Sequence, residues 1–335
     1  MPDLAALVRD ADWLAHRYDP GHDAFHFRLT PRAGHDRATF LTDEYLGAAG
    51  EPVVIRREDA LAVGLPSAPL HFLFHSAFCC STLLARAFDL PGVAMGLKEP
   101  MIVNDLVGWK HRGGKGPEVA RALDAGLTLL ARPFAPGEAV VVKPSNIGNA
   151  LIPAVLAMRP TSHALLLYAP LETFLGSVAR KGMIGRLWVR DLLVKQLRDG
   201  LVDLGFGPED YLGQTDLQAA AVGWLAQQAL FARTVAVHGD RVRTLDSETL
   251  VARPAETMAA LAELFGLALD AKAVAAGPAF RSHSKFGGVF DADARAAAVA
   301  KEAVHAEEIA KVAVWAEAVA ANAGVPLQLP GRLLA

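Results

Sequence analysis

Short, continuously apolar runs alternate along this chain with longer stretches in which apolar residues recur at helical spacing. The runs cover residues 70–74, 139–142 and 163–168, with another strand-like run at 242–245 and a short one at 93–97. Runs without polar alternation predict strands buried on both faces, as in a parallel sheet covered by helices. Helical spacing predicts segments at 80–88, 117–131, 147–158, 171–181, 187–203, 215–238 and 254–265, and a last long helix over about 293–322. Together they predict an α/β fold of three layers, a parallel β-sheet with helices on both faces, joined by right-handed crossovers. The first 66 residues are more mixed. Residues 3–16 have helical spacing, 25–29 alternate like a strand, and 51–56 form another strand-like run. Gly64, Pro66 and Pro69 punctuate the passage into the run at 70–74. The expected organisation is an N-terminal extension, 1–66, packed on a main α/β domain, 67–335.

Ligands of such sheets bind beyond the carboxyl ends of the strands, so 75–81, 143–146 and 169–170 are expected to converge on one crevice. Residues 70–89 are the most informative. An apolar run breaks into Ser76, Ala77, Phe78, Cys79 and Cys80, reaches the hydroxyl pair Ser81-Thr82, and resumes at Leu83, Leu84, Ala87 and Phe88. That pattern predicts strand, tight loop and helix N-terminus, where backbone N–H groups and the helix dipole favour an anion. Ser76 to Thr82 thus read as a phosphate cradle; helix capping by the hydroxyls is the plainer alternative.

Lys98-Glu99-Pro100 follows the run at 93–97. A glutamate beside a lysine at a strand end is a candidate general base, or else a solvated charge pair before a turn. Lys143 directly follows the run at 139–142, where its charge can offset that on a transferring group. Ser145 or Asn146 is placed to cap the next helix. Ser177, Arg180 and Lys181 lie on the helix after 163–168 and suit a second phosphate, or form a surface basic cluster. The stretch RSHSKFGG at 281–288, with Lys285 and Gly287, has the composition of a flexible anion-friendly loop.

Composition narrows the classes. With 335 residues, 52% of them apolar, and a mean hydropathy of +0.26, the chain can bury a substantial core. No apolar run approaches the roughly 18–20 residues of a membrane helix. Charges at Asp3, Arg9, Asp10 and Asp12 argue against a signal peptide, so a cytoplasmic location is expected. A net charge of −3, from 33 basic and 36 acidic residues, gives no nucleic-acid or membrane partner. The two cysteines are adjacent, which provides neither a disulfide framework nor a zinc site. His22/His26 and His71/His75 lack further ligands at metal spacing, so no metal is expected.

Taken together, these positions resemble the sulfotransferases of the P-loop class, in their bacterial form. Those enzymes move a sulfuryl group from 3′-phosphoadenosine 5′-phosphosulfate (PAPS) to an acceptor. Their loop, P-[RK]-S-G-T-[ST]-L-L, is matched in frame by Ala77 to Leu84. Their [RK]-E-P is matched by Lys98-Glu99-Pro100, and a K-x-P-x-N-like stretch by Lys143 to Asn146. The strand leading to R-D-P and a following serine is matched by Tyr168-Ala169-Pro170 and Gly176 or Ser177. The late Y-E-D-L…P…F-L-G-L element is matched by Leu245 to Leu250, Pro254 and Leu264 to Leu267. The resemblance spans about 70–290. Phe78, Cys80 and Tyr168 stand where the family carries a basic residue, a glycine and an arginine.

The resemblance implies sulfuryl transfer to a hydroxyl or amine of a small-molecule acceptor, with PAPS as cosubstrate, PAP as its product, and no metal. It implies Glu99 as base, assisted by Lys143 and Lys98. Ser76, Ala77, Phe78, Cys79, Cys80, Ser81 and Thr82 would hold the cosubstrate, with Ser177, Arg180, Lys285 and Gly287. Arg86 is a further cation that could replace the one missing from the loop. The region 182–230, with Trp188, Tyr211 and Trp224, is positioned to shape an acceptor pocket. Two other readings stay open on the same fold: an ATP- or GTP-dependent phosphotransferase, which needs a magnesium-binding acid near Ser81, and a non-catalytic nucleotide-binding descendant.

Overall fold

The computed structural model describes residues 3–47, 50–281 and 305–334. Two sheets are present among them. Strands β1 (Trp13–Asp19), β2 (Ala24–Leu29) and β3 (Val53–Arg56) form a small antiparallel sheet in that order. Strands β4 (Leu70–His75), β5 (Ala94–Lys98), β6 (Ala139–Lys143), β7 (Ala164–Tyr168) and β8 (Val242–Asp246) form a parallel sheet in the order β5-β6-β4-β7-β8. The first four of these five strands are buried along their whole length, as their largely apolar sequences require. Helices fill every connection. Ser81–Ala87 joins β4 to β5, Met101–His111 and Gly116–Leu130 join β5 to β6, and Ile152–Met158 lies between β6 and β7. Leu171–Arg180, Gly182–Arg198 and Asp216–His238 lie between β7 and β8.

The strand order fixes where a ligand can enter. The chain leaves β4 for β5 on one side and later passes from β6 to β7 on the other, so connections diverge around the carboxyl end of β4. That divergence opens a crevice at strand ends. It lies directly over the loop that follows His75.

Several local expectations shift in three dimensions. Residues 3–16 do not form one helix: Leu4–Arg9 is helical, and the chain then turns into β1. Pairing of β1 with β2 outweighs the helical spacing, and the turn is fixed by Asp10, which accepts from the Asp12 N–H. The buried Arg132 guanidinium also donates to the carbonyls of Val8, Asp10 and Trp13. The segment expected at 147–158 opens as a 3-10 turn, Asn146–Leu151, and becomes α-helical at Ile152–Met158, where Pro153 suits the first turn. The helix expected at 187–203 begins earlier and runs over Gly182–Arg198. The last helix is described over Ala306–Ala323; residues 293–304 of the expected span lie outside the described residues.

The N-terminal region packs on the main sheet through specific contacts. Arg17 forms a two-pronged pair with Asp105, whose carboxylate also accepts from the Tyr18 N–H. Arg32 bridges Asp89 and Glu138 and donates to the Ala94 carbonyl. Further on, the Leu41 N–H donates to the Lys98 carbonyl, and the Met101 N–H donates to the Leu41 carbonyl. The extension therefore runs along edge strand β5 and brings Phe40 to its carboxyl end. At the other edge, Thr244 of β8 exchanges backbone bonds with Gly331 and Leu333. Among the described residues, no helix is long and apolar enough to cross a membrane.

The packing can be tested at Gly96 of β5, where a Cβ would sit 2.0 Å from the Ala85 carbonyl oxygen in the helix after β4. Gly96→Ala should therefore lower stability by about 1–3 kcal/mol, read as a drop in the urea midpoint. A second prediction concerns acid. Burial pushes His35 down to about 3 and His71 down to about 4, so both stay neutral in the fold. The unfolded chain takes up these protons near the ordinary value of 6.5, so stability present above that pH is lost as pH falls from 6.5 toward 3. His35→Leu should remove on the order of 2 kcal/mol of the stability difference between about pH 7 and pH 5, measured by urea unfolding at both.

Candidate active site

The loop after β4 is built from backbone that side chains ordinarily resist. Ala77, Phe78 and Cys80 have φ of 74°, 52° and 62°. Each left-handed non-glycine residue costs about 1–2 kcal/mol. What the strain produces is a tight concave turn, the kind of backbone geometry that gathers N–H groups around an anion. Contacts to the end of β7 hold it. The Ser76 N–H donates to the Leu167 carbonyl at 3.0 Å, the Cys79 thiol to the same oxygen at 3.5 Å, and the Ala169 N–H to Ser76 Oγ at 3.2 Å. Trp224 supports this corner from the core by donating to the Ala169 carbonyl.

The loop cysteines differ. Cys79 is fully buried, and burial pushes its thiol up to about 11, which favours the protonated, inert form at neutral pH. Cys80 is partly exposed and precedes the helix Ser81–Ala87, on which Ser81 and Thr82 are buried. Phe78 packs on Phe174 and meets the edge of Trp188, and the Lys181 ammonium stands 5.8 Å from its ring centroid. A cation thus stands beside the loop, brought from the junction of the helices Leu171–Arg180 and Gly182–Arg198.

The second half of the site lies across β6. Lys143 ends that strand with no exposed surface, and its ammonium donates to Glu99 Oε1. Glu99 follows Lys98 of β5 and adopts φ 54°, immediately before Pro100, where such a conformation is disfavoured. Lys143 holds this strained residue twice, by the side-chain pair and by its carbonyl, which accepts the Glu99 N–H at 2.6 Å. Phe40 lies beneath, its ring centroid 5.1 Å from Lys143 Nζ, and Tyr45 meets Phe40 edge to face. Burial, with help from Glu44 and Glu99, raises the Tyr45 hydroxyl above its ordinary value. His75, at the end of β4, places Nε2 3.8 Å from Glu99 Oε1 and 3.1 Å from the Pro144 carbonyl.

The structure therefore brings together Glu99, Lys143 and the start of the Ser76–Thr82 loop, with His75 between them. It does not bring Lys98 to the pair. Lys98 stands in register with Lys143, but its amine donates to the Asp36 carbonyl at 3.1 Å. Burial, with Arg86 next, pushes it down to about 8. Arg180 donates to Ser177 Oγ at 2.9 Å on the exposed side of Leu171–Arg180. Lys285 and Gly287 lie outside the described residues. Tyr168 is buried at the end of β7, where burial and then Asp246 raise its hydroxyl. Of the aromatic residues expected to shape an acceptor pocket, Trp188 touches the loop. Trp224 is a core residue and Tyr211 packs on Phe206. Among the described residues, no three His, Cys, Asp or Glu side chains gather as a metal site would need.

Phe40, Tyr45 and Asn149, whose amide donates to the His75 carbonyl, carried no sequence signal, since only tertiary packing brings them to the Lys143–Glu99 pair and His75. His75 did carry one. It is the polar residue that closes the strand Leu70–His75, directly before the loop.

No family model matches this chain, and neither does any curated protein. Among solved structures it is similar to a sulfotransferase domain from the curacin biosynthetic pathway. The identity is 13% and the TM-score 0.42, over 67% of this chain and 81% of that one. At that identity and score, the likeness says nothing of ligand or activity.

The pair should dominate local stability. Removing one member of a buried ion pair strands the other charge, so Lys143→Met should cost about 3 kcal/mol. The double variant Lys143→Met/Glu99→Gln should recover part of that loss in urea unfolding.

Proposed function

We propose that this chain is a divergent sulfotransferase that moves the sulfuryl group of PAPS to a hydroxyl or amine of a small-molecule acceptor. The observation that carries the reading is the Lys143–Glu99 pair, one carboxylate held in a strained conformation by a fully buried lysine at the strand ends beside the loop. Such strain persists where surrounding structure over-determines it, and it clusters at reactive sites.

The residues present suit the cosubstrate. The concave loop, the Ser81 and Thr82 hydroxyls and the nearby Lys181 offer donors and charge for a phosphosulfate. Ser177 and Arg180 offer a second anion subsite at the exposed end of their helix. PAPS supplies the activated sulfuryl group. On this reading Glu99 accepts the acceptor's proton, while Lys143 keeps that carboxylate ionised and offsets negative charge developing around the transferred group. The N-terminal extension serves the main domain by setting Phe40 and Tyr45 on the acceptor side of Glu99. A phosphotransferase needs an acid near Ser81 to hold magnesium, whereas the acid of this site is committed to Lys143.

Thermal-shift binding separates the readings, because a ligand that binds only the folded state raises the melting temperature. PAP should stabilise the chain and ATP with magnesium should not. A shift with ATP and magnesium alone would favour the phosphotransferase, and no shift with either would favour a non-catalytic protein. Glu99→Gln should lower turnover by about 10²–10⁴-fold and leave PAP affinity within about threefold, below the cost of one lost hydrogen bond to a charge. Unchanged turnover in that variant would remove Glu99 from the chemistry.

A further inference from the structure

His75 ends β4 where the loop, the end of β6 and Glu99 meet, and both of its ring nitrogens are engaged. Nδ1 lies 3.1 Å from the Ala77 backbone nitrogen, which can only donate. Nδ1 is therefore an acceptor, and the neutral ring carries its proton on Nε2. Nε2 lies 3.1 Å from the Pro144 carbonyl oxygen, which can only accept. Two independent contacts thus select one tautomer. The opposite tautomer would oppose two donors at Ala77 and two acceptors at Pro144, and an imidazolium would lose the acceptor for Ala77. The residue is fixed from below as well: its own carbonyl accepts from Asn149 Nδ2 at 3.0 Å, and the same amide donates to Gln227 at 2.9 Å. The side chain is buried.

The two ring contacts reach different halves of the site. Ala77 is the first left-handed residue of the loop, and Pro144 directly follows Lys143. We propose that His75 is a positioning residue whose Nδ1 sets the shape of the loop and whose Nε2–H sets the Lys143–Glu99 pair, so that one ring aligns cosubstrate binding with proton removal. What the two halves do rests on the sulfuryl-transfer reading; the tautomer and its two contacts do not.

Asparagine places an amide oxygen near the Nδ1 position, and glutamine places an amide nitrogen near Nε2, so the two roles can be separated. His75→Asn keeps the acceptor for Ala77 and drops the donor to Pro144. It should bind PAP within about threefold of the original affinity and lose about tenfold or more in kcat. His75→Gln does the reverse. It should weaken PAP binding about tenfold and speed hydrogen exchange of the Ala77 amide about tenfold, with kcat at saturation less affected. Nitrogen-15 NMR of the full chain should show His75 neutral and protonated on Nε2. A proton on Nδ1, or on both nitrogens at neutral pH, overturns the assignment. So do two variants that change Ala77 exchange equally, which is how a residue that only fills space would behave. If the unsubstituted chain binds no PAP, the sulfuryl-transfer reading fails, while the tautomer and the exchange rates still decide for or against His75.

Discussion

The arrangement depends on one buried charge. Lys143 sits at the end of a central strand with no exposed surface, and an ammonium there is tolerable only if a carboxylate meets it. Glu99 is the carboxylate that does so, and it must leave the ordinary backbone regions to reach that place. The requirement passes outward. Pro100 follows a strained residue, the first turn of Met101–His111 is set by it, and Leu41 bonds on both sides of it. A lysine in a strand thereby dictates the path of a neighbouring strand end and of a segment that lies more than fifty residues earlier in sequence.

The same logic explains why strain is concentrated here. Among the described non-glycine residues, the positive φ values are those of Asp23, Ala77, Phe78, Cys80 and Glu99, and four of these five border one crevice. Strain of a few kcal/mol is a large fraction of a domain's net stability. It is balanced by contacts spread over three strand ends: Ser76 to β7, Ala77 to His75, and Glu99 to Lys143. Contacts from three strand ends thus converge on the strained residues, the Lys143–Glu99 pair foremost among them.

Much of this was legible in the chain itself. Four of the five strands of the main sheet appear as largely apolar runs because burial on both faces removes polar alternation, whereas edge strand β8 carries Arg243 and Thr244 and is only partly buried. Lys143 and Glu99 were visible as charges at the ends of such runs. Other features were invisible for definite reasons. The helical spacing of residues 3–16 competes with strand pairing that only β2 provides. Lys98 looks equivalent to Lys143, because nothing local reveals that the Asp36 carbonyl will claim it. Phe40 and Tyr45 reach Glu99 through a fold-back that no local pattern encodes. Phe78 reads as a lost positive charge until the next helix pair brings Lys181 to its ring.

The main sheet is open, and its two outer strands are closed by segments from opposite ends of the sequence. Beside β5 run Arg32, on the Ala94 carbonyl, and Leu41, on the Lys98 carbonyl; beside β8 run Gly331 and Leu333, on Thr244. Unpaired strand edges are templates for adding further strands. A chain shortened from either side would therefore keep most of its core yet present a bare row of backbone groups, turning a self-contained sheet into one able to stack against copies of itself. During synthesis the β5 edge can be covered early, but the β8 edge stays open until residue 333 has emerged. The interval before that point is when the nascent sheet is most exposed to pairing with another chain.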